Sequence, residues 1–80
     1  MTEILVGDKP LKSYIFAALM HEEPRIKARG KHIKKAIDAA LILERSFGYT
    51  ITDWKLASEA MELPEGEKYV SAVDIHLRRR

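Results

Sequence analysis

Apolar positions along this chain switch between a period of two and a period near 3.6, and the switches mark its elements. The run EILV at 3–6 is short and stopped by Gly7, which predicts a strand. Leu11, Tyr14, Ile15, Ala18 and Leu19 then repeat at helical spacing. Pro10 suits the first helical position of that segment, and Asp8 suits the positive end of its dipole. Glu22, Glu23 and Pro24 close the helix, because the residue before a proline avoids the α region. In RIKARG, Ile26 and Ala28 alternate with Arg25, Lys27 and Arg29, the pattern of a half-buried strand carrying three cations on one face. Gly30 ends it. A second helix is expected over about 31–47, with Ile33, Ala36, Ile37, Ala40, Leu41 and Phe47 on the core side and Lys31, Lys34, Asp38 and Arg45 opposite. After GYT two strands follow: Trp54, Leu56, Ser58 and Ala60 share one face, as do Tyr69, Val73, Ile75 and Leu77, with LPEGEK at 63–68 as the turn of a hairpin.

The order βαβαββ predicts an α+β fold, a split α/β sandwich in which a four-stranded mixed sheet carries two helices on one face, as one domain over 1–80. The second helix is apolar around more of its circumference than one sheet can cover, since Ala39, Ile42 and Leu43 widen the stripe. Phe16 and Met20 pair at i, i+4 on the outer side of the first helix. Phe16, Ile42 and Leu43 are therefore candidate subunit contacts.

Charge changes the picture locally more than globally. Fourteen Lys and Arg against twelve Asp and Glu leave a net charge of +2, so any affinity for nucleic acid must come from arrangement. Arg25, Lys27, Arg29, Lys31, Lys34 and Lys35 follow one another with no intervening acid. A strand, crossover helix and strand in one sheet are normally parallel, which brings the loops GDKP and RGKH to the same sheet edge. Each loop also opens a helix, whose first N–H groups favour an anion. Lys9, Arg29 and Lys31 would converge there, with Lys12, Arg25, Lys27 and Gly30 completing a candidate phosphate-binding set. Lys34 and Lys35 are weaker candidates.

Other chemistry is poorly represented. Cysteine is absent, and His21, His32 and His76 are scattered without metal-ligand spacing. Ser13, Ser46, Ser58 and Ser71 lack a nucleophile-elbow context, and there is no glycine-rich phosphate loop. Neither an enzyme, a cofactor, a metal nor a small-molecule substrate is expected. The longest apolar run, AALIL at 39–43, is far short of a membrane span, which points to a soluble cytoplasmic protein. Tyr14 and Trp54 lie on apolar faces and are expected in the core rather than as stacking platforms for bases.

Two longer segments carry a family resemblance. VGDKPLKSYIFAAL resembles the opening of the Alba family, typically a VIGKKPVMNYVLAAL-type segment, and IKARGKHIKKAIDAALILERSF resembles that family's IKARGRAISKAVD-type strand, glycine and helix. The similarity runs from about Ile4 to Arg79. It implies the same βαβαββ fold, a homodimer that can assemble further or pair with a related subunit, and chromosome-associated binding of double-stranded DNA, RNA or both with little sequence preference. It also implies that Lys9 matches a central loop lysine, that Lys27, Arg29 and Lys31 match basic residues of the binding face, and that Phe47 matches an aromatic at contacts between dimers. Asp8 stands where many members have the first of two lysines. The hairpin also departs from the family pattern, with Glu59, Glu62, Glu65 and Glu67 around a short tip where a longer basic arm is common. The terminal HLRRR is a source of compensating charge, or a solvated end. These departures keep a second reading open, a protein-interaction subunit of a ribonucleoprotein or chromatin complex with weak nucleic-acid affinity of its own.

Overall fold

The computed structural model describes residues 2–80. Its order is β1 (Thr2–Leu5), α1 (Leu11–Leu19), β2 (Pro24–Arg29), a 3-10 turn (Gly30–His32), α2 (Ile33–Ser46), β3 (Tyr49–Leu63) and β4 (Gly66–Arg79). The strands form one sheet in the order β1-β2-β4-β3. β1 and β2 are parallel, with Ile4 opposite Ile26, and the other pairs are antiparallel. This is the α+β arrangement predicted from the alternation of periods. Both helices pack on one face, where Ile4, Val6, Ile26, Ala28, Val73, Ile75 and Leu77 meet Tyr14, Ile15, Ala18 and four residues of α2.

Those four are Ala36, Ala39, Ala40 and Leu43, so α2 is rotated relative to the core stripe read from its sequence. Two apolar stripes compete on this helix. The buried one is built mostly from alanines, whose small side chains permit close approach to the sheet and to α1. The bulkier Ile37 and Leu41 are left on the flank. Leu43, expected as a subunit contact, has no exposed surface, and Ile42 is half-buried against the core. Leu43 is therefore corrected from interface to core, whereas Phe16 and Phe47 are exposed.

The hairpin holds a second correction. β3 and β4 are 15 and 14 residues long, and they pair up to Leu63 opposite Gly66, leaving Pro64 and Glu65 as a tight turn. Gly66 has φ of +126°, a conformation that other residues rarely adopt. β2 stops at Arg29 opposite Ala72, so the segment from Ser58 to Ser71 extends beyond the sheet as a two-stranded arm. The short tip thus crowns a long arm, and the molecule measures 46 × 24 × 19 Å.

Trp54 also departs from the reading that placed it in the core. A bulge between Ile51 and Asp53 sets Thr52 and Asp53 against His76 and turns Trp54 and Leu56 toward the helix side. β3 is an edge strand, however, and the helices leave its outer part uncovered. Trp54 is 64% exposed and Leu56 60% exposed. With Ile37, Leu41 and Ile51 they line an apolar groove of about 270 Å³ between α2 and β3.

The C-terminal arginines are not a solvated tail. The Arg79 guanidinium donates to the Leu19 carbonyl and to the Tyr49 hydroxyl, and Arg80 donates to the Glu44 carbonyl. Arg78 pairs with Glu23 at 3.2 Å. Arg79 and Arg80 thereby satisfy carbonyls in the last turns of α1 and α2, a favourable place for cations, at the end of the molecule away from the GDKP and RGKH loops.

Candidate nucleic-acid interface

Because β1 and β2 run parallel, their C-terminal ends deliver the two loops to one edge, and the contacts between the loops are direct. The Val6 amide donates to the Lys27 carbonyl at 2.9 Å, prolonging the strand pairing to the mouth of the first loop. Asp8 lies 3.9 Å from the Lys31 ammonium and 3.7 Å from His32 Nε2. The Tyr14 hydroxyl accepts from the backbone amides of Gly7 at 2.8 Å and Lys9 at 3.1 Å. Lys35 Nζ donates to the carbonyls of the same two residues, at 3.0 and 2.8 Å.

Gly30 makes the second turn possible. Its φ of +54° lies in the left-handed region that glycine adopts without strain. The chain can then leave β2 and enter the 3-10 turn at once, which sets Arg29 and Lys31 on either side of the bend. Neither α1 nor the 3-10 turn ahead of α2 has a side-chain cap or an acid in its first turn, so the positive ends of both helices are unneutralised by their own residues.

The candidate cations separate into two groups. Lys9 and Lys12 are exposed, and among the described residues no carboxylate lies within ion-pairing distance of either. Lys31 is also exposed, with a long contact to Asp8. The strand cations are all paired on the open face of the sheet. Lys27 meets Glu3 at 3.7 Å, and Arg29 meets Glu59 of the arm at 2.9 Å. Arg25 donates from Nε to both oxygens of Asp74, at 2.9 and 3.1 Å, and also lies 3.6 Å from Glu3. The hydrogen bond from Arg25 is the chief reason the Asp74 carboxyl titrates below its ordinary range, and the same bond raises the Arg25 pKa. Arg25 is four residues from Arg29 along the strand, roughly 13 Å at strand rise. It belongs to an ion-pair ladder on the sheet and does not join the loop edge.

Sequence reasoning missed the roles of Tyr14 and Lys35. Tyr14 reads as an apolar core residue, and its ring is one, but its hydroxyl reaches the loop. Lys35 reads as one more cation in a basic run, whereas its charge is directed at two carbonyls and stands 5.9 Å from the Tyr14 ring centroid. Glu59 was legible only as part of an acidic hairpin, because its partner lies thirty residues away in sequence.

The Alba family model matches residues 2–58, from β1 through both loops and both helices into β3. The chain belongs to the Alba family. It is similar to the DNA/RNA-binding protein Alba 1 of Archaeoglobus fulgidus, at 33% identity over 96% of this chain and 94% of that protein. It is 36% identical to the DNA/RNA-binding protein Alba of Nitrosopumilus maritimus, over 95% of this chain and 88% of that protein. Among solved structures, Alba from Thermoplasma volcanium superposes with a TM-score of 0.86 at 33% identity, covering 96% of this chain and 99% of that one. On this fold the loop edge includes the Asp8 carboxylate, and the arm bears Glu59, Glu62, Glu65 and Glu67 against a single Lys68.

Proposed function

We propose that this protein is a homodimer that binds duplex DNA, RNA or both, chiefly through phosphate, as an architectural component of chromatin or ribonucleoprotein particles in the cytoplasm and on the chromosome. The reading is supported by the two loops that carry Lys9 and Lys31 lying at one edge beside two uncapped helix starts, where Lys9, Lys12 and Lys31 are exposed and Arg29, held by Glu59, stands at the bend. Ammonium groups and backbone N–H groups suit phosphate oxygens and carry no base code of their own, which favours low sequence preference. The names of the Archaeoglobus and Nitrosopumilus relatives point the same way. Dimerisation is supported by the exposed groove around Ile37, Leu41, Trp54 and Leu56, a surface a second copy of the chain could cover symmetrically.

The test is a salt-titrated binding series with duplex DNA, duplex RNA and single strands, on protein of known oligomeric state. Each phosphate neutralised on duplex DNA contributes about 0.9 to the logarithmic salt slope, so the Lys9, Arg29 and Lys31 triple alanine variant should lose about 2.7 per subunit. The loss should be similar on unrelated sequences. Unchanged affinity and slope would remove these residues from the interface. The ion-paired strand cations and the acidic arm favour a second reading, a protein-interaction subunit with weak nucleic-acid affinity. Absence of retention on any duplex at low salt would select it.

A further inference from the structure

Tyr14 and Lys35 hold the backbone of the Lys9 loop, one through its amides and the other through its carbonyls, and neither is needed as a phosphate contact in the reading above. We infer that they are positioning residues for Lys9, which is an extension of the nucleic-acid reading and rests on it. The loop between β1 and α1 has no ladder partner for the amides of Gly7 and Lys9. A single hydroxyl accepts both, at 2.8 and 3.1 Å. The carbonyls of the same residues both receive the Lys35 ammonium, at 3.0 and 2.8 Å. Tyr14 comes from the first turn of α1 and Lys35 from the first turn of α2, so the four bonds tie the loop to both helices. The Tyr14 ring is buried in the core, which fixes the hydroxyl.

The consequence is geometric. With its backbone held at two residues, the loop presents the Lys9 side chain outward at a set spacing from the Arg29–Gly30–Lys31 turn. A flexible loop would have to be ordered on binding, and that ordering lowers affinity. Lys35 acts within the fold rather than on the ligand: two of its three N–H donors are engaged, and its charge lies over the Tyr14 ring.

The decisive variant is Tyr14→Phe, which keeps the ring and the net charge and removes only the acceptor. Duplex affinity is expected to fall roughly three- to tenfold, the equivalent of about one net hydrogen bond. Amide exchange at Gly7 and Lys9 should accelerate. In a Lys9→Ala background the same substitution should cause no further loss, because the clamp acts through Lys9. Lys35→Met provides an independent variant, with Lys34→Met as its charge control. Its loss should exceed that of the control only while Lys9 is present. Affinity unaffected by Tyr14→Phe, or lowered equally with and without Lys9, overturns the inference while leaving the nucleic-acid reading intact whenever Lys9→Ala itself weakens binding. Wild-type protein that binds no duplex at low salt overturns both.

Discussion

Leu56→Ala separates the dimer proposal from the fold. In one subunit the Leu56 side chain is 60% exposed beside Trp54 in an open groove, so truncation opens no enclosed cavity. Surface changes of this kind usually alter stability by no more than about 0.5 kcal/mol. Complete burial of a leucine contributes about 1.5–3 kcal/mol, and the portion still exposed here corresponds to about 1–2 kcal/mol. A two-fold interface uses the residue twice, so the dimer should lose about 2–4 kcal/mol, a dissociation constant weaker by roughly 30- to 1000-fold. Sedimentation velocity over a dilution series measures that change directly. Trp54 is the single tryptophan and lines the same groove, so its emission should shift to the red as the wild type dissociates, and at much higher protein concentration in the variant. Equal dissociation constants for variant and wild type, or Trp54 emission indifferent to dissociation, would refute the groove as the subunit contact.

Two other changes address charge. Glu59→Gln frees Arg29 from its partner at 2.9 Å and should tighten duplex binding by up to about fivefold, the range of a partly exposed ion pair. Glu62→Gln, which removes an arm charge with no such pairing among the described residues, is the control, and equal gains from both would show that Arg29 is not specifically restrained. Asp74→Asn tests the ladder on the open sheet face. Because Arg25 lowers the Asp74 pKa in the native state, its stabilisation is complete above the ordinary carboxylate range and disappears as pH falls through the lowered native value. Thermal melts should therefore show a lower midpoint for the variant near neutral pH and a gap that closes on acidification. A gap that persists or widens in acid would contradict that assignment.

The loop edge was legible because its ingredients are local and its assembly follows a general rule. Two strands joined by a crossover helix run parallel, so loops distant in sequence must meet at one edge, as Asp8 and Lys31 do. Ion pairing was much less legible. Arg25, Lys27 and Arg29 alternate cleanly in sequence, but their acids come from β1, β3 and β4, and pairing with them depends on strand order and register. The run of cations therefore overstated the charge available to a phosphate. Lys35 shows the same effect within a helix, where the step of about 100° between neighbouring residues separates Lys34, paired with Asp38, from Lys35, which meets loop carbonyls.

By itself the sequence determined the element order, the parallel crossover, the glycine turn at Gly30 and the two loops that carry Lys9, Arg29 and Lys31. These depend on period, backbone chemistry and topology, each readable over a few neighbouring residues. Tertiary structure decided which stripe of α2 is core, how far the arm projects, that Trp54 is on the surface and which cations remain free. Those outcomes compare alternatives of similar local energy. Ala36, Ala39, Ala40 and Leu43 compete with Ile37 and Leu41, and Arg29 competes between Glu59 and a phosphate. Long-range packing and charge, not local pattern, settle such balances.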